Sequence, residues 1–247
     1  MILYVDGDSC STPNLAVNES DSYWKLFADH IGADKIINYS YPGKSVEGML
    51  RSATRFIVEN DTTDVFLLIG LTFLCRRDEI LDGPVGPWEK GATPYPNPNP
   101  AEPHIGSKNL WSPAKNKGLI AQIARQLNIQ GGGHIDDLQE SNFYSNIILF
   151  NSFLQSRKVK NLMHYHAIPI KRKKSVMLDS LRNEVDQMSN VLNLHQDTLI
   201  TWGMRNKIKP VDFDRYGWVG HYGAEVNKLY ANYLIENYQR VYNAPNS

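Results

Sequence analysis

The sequence predicts a three-layer α/β/α sandwich around a central parallel sheet. In the first seventy residues, three short apolar strands alternate with two amphipathic helices. The connections between them are short, which favours parallel strands joined by crossover helices. The third strand, residues 64–70, is apolar on both faces, as expected of a central strand that helices cover from both sides.

The periodicity of the apolar residues gives the individual elements. Strands are predicted over residues 2–5, 35–39, 64–70 and 161–167. Helices are predicted over residues 23–31, 46–57, 142–156, 175–192 and 224–238. Gly32 follows the first helix as a stop signal, and Ser45 precedes the second helix as an N-cap.

Residues 82–118 differ in composition from the rest of the chain. They hold eight prolines and five glycines among 37 positions. Such a segment favours a long loop, and long loops in compact domains are usually functional lids or linkers. We therefore expect one domain over residues 1–247, enlarged by an insertion at 82–118 that borders the site.

The charge balance narrows the classes of partner. Twenty-six Lys and Arg residues face 26 Asp and Glu residues, so the formal net charge is zero. A nucleic-acid binder or a polybasic membrane binder needs a surplus of positive charge, and neither is expected here. The apolar stretch at 65–71 is too short to span a bilayer, no secretory signal is visible, and two cysteines fit a reducing compartment. These features predict a cytoplasmic protein.

Four short segments carry the candidate chemistry. Ser9 lies in the turn that ends the first strand, where a nucleophilic hydroxyl would be exposed at the sheet edge. Gly43 follows the second strand, and a glycine there lets a backbone N–H approach a ligand closely. Thr72 follows the third strand with a hydroxyl that can donate. His221 lies in the loop before the last helix.

In this order the segments resemble the SGNH (GDSL-type) hydrolase superfamily, whose fold is flavodoxin-like. Gly7-Asp8-Ser9 is similar to the motif that carries the nucleophile. Gly43 matches the glycine that donates its N–H to the oxyanion, and His221 matches the histidine before the closing helix. The resemblance covers the chain from the first strand to the last helix in four short blocks.

The sequence departs from the family pattern at two positions. Thr72 stands where the family has its oxyanion asparagine. Trp218 and Val219 stand where the family has an aspartate two or three residues before the histidine. Asp214, or Asp212, could supply the missing acid from nearby. Losing one oxyanion donor costs about 10²–10³ in rate, and losing the orienting acid costs about 10⁴.

The resemblance implies a serine esterase that acts on a small ester or an O-acetylated carbohydrate without a cofactor or a metal. The implied catalytic residues are Ser9, His221 and Asp214. The implied oxyanion donors are Ser9, Gly43 and Thr72. Substrate contacts are expected from Asp8, Trp88 and Trp111. The oligomeric state is left open.

Two other functions are compatible with the sequence. Val5-Asp6-Gly7-Asp8 also looks like the first motif of haloacid-dehalogenase-type phosphatases, with Asp6 as nucleophile, Asp8 as acid/base and Asp136-Asp137 as a magnesium pair. The departures at Thr72 and before His221 instead favour a non-catalytic module that reuses the SGNH scaffold for binding or assembly.

His164 and His166 lie on one side of the predicted strand 161–167, a spacing compatible with metal binding. No Cys, Asp or Glu accompanies them in that segment. We therefore expect two core or edge histidines rather than metal ligands.

Overall fold

The computed structural model describes residues 1–13, 17–41, 44–72, 76–80, 105–109, 137–166, 176–192, 194, 196–211 and 221–243. The strands are β1 Ile2–Gly7, β2 Lys35–Asn38, β3 Val65–Leu71, β4 Arg76–Ile80, β5 Ile105–Asn109 and β6 Lys160–Tyr165. The helices are α1 Tyr23–Ile31, α2 Val46–Glu59, α3 Asp137–Ser156, α4 Val176–Gln187, α5 Leu199–Arg205 and α6 Ala224–Tyr242. A short 3₁₀ turn at Glu19–Asp21 precedes α1.

Four strands form a parallel sheet in the order β2-β1-β3-β6. Its central pair is in register from Ile2 opposite Val65 to Gly7 opposite Gly70. Helices pack on both faces, so the predicted three-layer sandwich is confirmed. Gly32 ends α1 with a left-handed φ of 68°, and the Ser45 hydroxyl caps α2 by accepting the Gly48 N–H.

The two faces of the sheet bury separate apolar cores, because successive side chains of a strand point to opposite sides. On one face, Leu67 and Ile69 of β3 pack with residues of α2 and α3. On the other face, Phe66 and Leu68 pack with residues of α1, α5 and α6. All four of these β3 side chains are fully buried. The alternation explains why β3 is apolar throughout.

Two features of the fold were not predicted. The helix α5 is only seven residues long, too short for a clear apolar period, and a capping box between Thr198 and Thr201 begins it. Strands β4 and β5 form a separate antiparallel pair. Strand β5 lies inside 82–118, the segment predicted to be a loop insertion. Among the described residues, no helix is long and apolar enough to cross a membrane.

The strand order places a crevice at the carboxyl end of β1. After β1 the chain adds β2 on one side and β3 on the other. In open parallel sheets, ligands bind at such a reversal of strand order, beyond the carboxyl ends of the strands. The turn that contains Ser9 begins at this point.

Candidate active site

The turn after β1 is held by the side chain and the carbonyl of Asp8. Asp8 Oδ1 accepts the N–H of Cys10 at 3.0 Å, an arrangement typical of Asx turns. The Asp8 carbonyl accepts the N–H of Ser11 at 3.0 Å and the hydroxyl of Thr12 at 3.2 Å. Asp8 is only 2% exposed, whereas Ser9 is half-buried. The turn therefore keeps the carboxylate inside and leaves Ser9 accessible.

Ser9 and His221 line the same cleft. The cleft lies between the turn after β1 and the start of α6. Its walls are formed by Ser9, Cys10, Thr12, Val17, Ser22, Leu199, His221, Tyr222 and Asn227. The residues that the sequence predicted as nucleophile and base therefore both border this cleft.

Asn227 fixes the segment that carries His221. Its side-chain amide donates to the carbonyls of Tyr222 at 3.0 Å and Gly223 at 3.1 Å. Its amide oxygen accepts the N–H of Tyr23, at the start of α1, at 3.1 Å. Asn227 is 4% exposed. One buried amide therefore connects α6, the His221 segment and α1.

A buried network of five side chains lies beneath the Ser9 turn. Asp8 Oδ1 lies 3.0 Å from His166 Nδ1, and Asp8 Oδ2 accepts the hydroxyl of Thr72 at 2.6 Å. His166 Nε2 lies 2.9 Å from the hydroxyl of Tyr23, which lies 2.6 Å from Ser11 Oγ. Burial raises the pKa of Tyr23 well above its ordinary value, so its hydroxyl keeps the proton.

Two glycines make room for the His166 ring. Gly7 and Gly70 are paired across β1 and β3. A Cβ on Gly70 would overlap the His166 ring at Cε1, whereas a Cβ on Gly7 would overlap Ser11 Oγ and would lie 3.2 Å from His166 Cε1. The ring therefore sits directly on the sheet, where no larger residue fits beneath it.

Replacing Gly70 with alanine is expected to lower the free energy of unfolding by about 3 kcal/mol, because the new methyl group must displace the His166 ring. Urea denaturation measures this loss. The double variant Gly70→Ala/His166→Ala should lose less than the sum of the two single variants, since the overlap is then relieved. Strict additivity would contradict the steric explanation.

Ser11, His166 and Asp8 have the connectivity of a catalytic triad, but their burial argues against that role. Ser11 and His166 are both 0% exposed. Their Oγ and Nε2 atoms lie 3.5 Å apart, at the limit of a hydrogen bond. A nucleophile must reach its substrate, so the accessible Ser9 is the better candidate.

Apart from Ser9 and His221, the predicted site residues fall into two groups. Thr72 and Asp8 are described, and both are buried in the network beneath the turn. Because a hydroxyl has one proton, the bond from Thr72 to Asp8 supports the carboxylate rather than an oxyanion. Because Asp8 is buried, its side chain is not placed for the predicted contact with a substrate. Gly43, Asp214, Trp88 and Trp111 lie outside the described residues.

Asp6 and Lys44 form a buried ion pair between β1 and the loop before α2. Lys44 Nζ donates to both carboxylate oxygens of Asp6, at 2.7 and 2.8 Å, and to the Tyr39 carbonyl at 3.0 Å. Tyr4 and the N–H of Gly7 also donate to this carboxylate. Burial raises the pKa of Asp6 to about 6, although Lys44 lowers it.

This pair weakens the phosphatase interpretation. Asp6 is 0% exposed and Asp8 is 2% exposed, so neither carboxylate is placed to meet a phosphate ester. Both are fully engaged with neighbouring side chains. The predicted magnesium pair, Asp136-Asp137, has no described side chains.

Asp8, Cys10 and His166 offer a mixed set of ligand atoms within 4.8 Å of one another. A transition metal could use such oxygen, sulfur and nitrogen donors. However, Asp8 and His166 already contact each other directly, and a metal would have to replace the proton between them. We therefore assign this pair a hydrogen-bonding role. His164 and His166 are both fully buried, as core histidines would be.

Several residues of the site were missed by sequence reasoning. Tyr23 fits the apolar pattern of α1, and Lys44 follows a turn in the sequence, so neither suggested a polar contact. Asn227 did leave a signal, since it precedes Tyr230 and Ala231 by three and four residues on the buried face of α6. A polar residue on such a face usually has a specific hydrogen-bonding partner.

Comparison with solved structures finds similarity along almost the whole chain to an esterase, to TesA and to lipolytic proteins of the G-D-S-L family. The psychrotrophic esterase EstA from Pseudoalteromonas sp., inhibited by monoethylphosphonate, aligns with 98% of each chain at 13% identity and a TM-score of 0.48. TesA aligns with 98% of this chain and 99% of its own at 10% identity and a TM-score of 0.47.

A lipolytic protein of the G-D-S-L family from Veillonella parvula DSM 2008 aligns with 99% of each chain at 13% identity and a TM-score of 0.39. No family model and no curated protein sequence matches the chain. The fold assignment rests on the strand order and on the two core layers.

Proposed function

We propose that this chain is a serine esterase in which Ser9 is the nucleophile and His221 is the general base. The observation that supports this role is the shared cleft, which both residues line although they lie at opposite ends of the sequence. Both are half-buried, so both are accessible to a substrate.

The proposed reaction is an acyl transfer through a covalent intermediate. Ser9 Oγ attacks the ester carbonyl carbon while His221 takes the hydroxyl proton. The carbon–oxygen bond to the alcohol then breaks, and His221 returns the proton to the leaving alkoxide. Water attacks the acyl-serine with His221 again as base, which releases the carboxylic acid and restores Ser9.

The backbone N–H groups of Ser9 and Gly43 are the proposed oxyanion donors. Thr72 is left out of this set, because its hydroxyl donates to Asp8. Asp214 remains the proposed acid that orients His221. With one donor fewer than the family pattern, the rate would be lower by about 10²–10³.

The proposed substrate is a small ester or an O-acetylated carbohydrate. The cleft is lined mainly by short or polar side chains, among them Thr12, Ser22 and Asn227, which suits a short acyl group. Trp88 and Trp111 are proposed to contact the sugar ring, because aromatic faces suit carbohydrates.

The direct test compares hydrolysis of aryl acetates and acetylated sugars by the wild type, Ser9→Ala and Cys10→Ala. We expect activity in the wild type and in Cys10→Ala, and none in Ser9→Ala. Equal rates in the wild type and Ser9→Ala would contradict the proposal. A folded wild type without activity would favour a binding or structural module.

A further inference from the structure

We propose that His166 is a positioning residue that holds Asp8, and through Asp8 the turn that carries Ser9, in the reactive arrangement. The inference rests on the proposed esterase function for its kinetic consequence. Its structural consequence, a turn fixed from beneath by an imidazole, can be tested separately. His166 is 0% exposed and is not among the residues that line the cleft, so it would not touch substrate.

The hydrogen bonds around Asp8 give the network one direction. As a carboxylate, Asp8 can only accept, so the proton shared with His166 belongs on Nδ1. In the tautomer that carries its proton on Nδ1 alone, Nε2 accepts from the hydroxyl of Tyr23, and that oxygen accepts from Ser11. Every donor in the chain from Ser11 to Asp8 therefore has an acceptor.

The same carboxylate shapes the backbone around Ser9. Asp8 Oδ1, which faces His166, also accepts the N–H of Cys10, the residue after Ser9. A shift of this carboxylate would therefore move the backbone on both sides of Ser9. Displacements of about 1 Å at reacting groups can cost about 10²-fold in rate.

Packing prevents the ring from adopting another position. The His166 ring rests on the glycines of β1 and β3 and makes a T-shaped contact with the Tyr23 ring at a centroid distance of 5.4 Å. Thr72 holds the second oxygen of Asp8. The carboxylate is thus fixed by two side chains and one backbone amide.

His164 provides a matched control. It is also 0% exposed, lies on the same side of β6, and its ring centroid is 4.7 Å from that of His166. Its Nδ1 contacts the hydroxyl of Tyr230 rather than Asp8, although its ring packs against Tyr23 at a centroid distance of 5.2 Å. Burial lowers the pKa of His164 well below its ordinary value, so it is a neutral core residue.

The test compares His166→Leu, His166→Asn and His164→Leu. Leucine removes the donor to Asp8, whereas the asparagine amide can replace the Nδ1 proton. We expect His166→Leu to lower kcat by about 10²-fold with little change in KM. His166→Asn should recover part of the loss, and His164→Leu should stay close to the wild type. At the other oxygen of Asp8, Thr72→Val removes the donor and should lower kcat. Thr72→Ser keeps the hydroxyl and should retain most of it.

A second measurement keeps the inference testable if the chain is not an esterase. Hydrogen exchange of the Cys10 amide should accelerate in His166→Leu and stay unchanged in His164→Leu. Inactive wild type with this exchange pattern would overturn the esterase proposal and support the positioning role. Equal losses of kcat and of amide protection in the two leucine variants would overturn the positioning role.

Discussion

Replacing His221 with alanine is expected to lower kcat for aryl acetate hydrolysis by at least about 10⁴-fold, because no other group in the proposed mechanism takes the Ser9 proton. Adding Ser9→Ala to this variant should lower kcat no further, since nucleophile and base act as one unit. The measurement is steady-state hydrolysis by the two single variants and the double variant.

Tyr222→Phe is the control for this experiment. Tyr222 lines the same cleft and is the residue next to His221, and the change removes only its hydroxyl. We expect its kcat to remain close to that of the wild type. If the loss of kcat in the double variant equals the product of the losses in His221→Ala and Ser9→Ala, the two residues do not share a step.

Replacing Lys44 with methionine is expected to lower the free energy of unfolding by about 3–5 kcal/mol at pH 8, because the buried Asp6 carboxylate loses its cation. The pKa of Asp6 is raised from 3.8 to about 6 by burial. The protonated Asp6 side chain therefore contributes its full stabilisation of the fold below pH 3.8. This contribution is lost as the pH rises through 6. Without Lys44, the pKa of Asp6 should rise further.

The loss caused by Lys44→Met should consequently be larger at pH 8 than at pH 5, where a protonated Asp6 is tolerated. Urea denaturation at the two pH values measures this. Lys25→Met, which removes an exposed pair with Asp29, should cost less than about 1 kcal/mol. The double variant Asp6→Asn/Lys44→Met should recover most of the stability. A pH-independent loss would contradict a buried ion pair.

The fold was largely predictable because its signals are local. Each predicted strand of the central sheet lies within a few residues of its observed position, since parallel strands are short and densely apolar. Helix α3 begins at Asp137, five residues before the prediction, because its first turn is polar. Strand β4 was missed, since the charged residues at 76–80 hide any alternation of apolar and polar positions. Strand β5 was missed because it lies inside the segment rich in proline and glycine.

The candidate site was predictable only where it consists of turn or loop residues next to the end of a strand or the start of a helix. The position of Ser9 follows from the end of β1, and that of His221 from the start of α6. The contact between Asp8 and His166 joins residues 158 positions apart, and no periodicity reports such a distance. Buried polar networks are specified by tertiary packing, so in the sequence their members cannot be told from ordinary core or turn residues.

Labelling with a fluorophosphonate followed by peptide mass spectrometry tests the esterase proposal most directly, because the reagent reacts much faster with an activated serine than with an ordinary one. We expect one adduct, on Ser9, in the wild type and in Ser11→Ala, and none in Ser9→Ala or His221→Ala. A folded wild type that gains no adduct, or an adduct on Ser11, would contradict the assignment of Ser9 as the nucleophile.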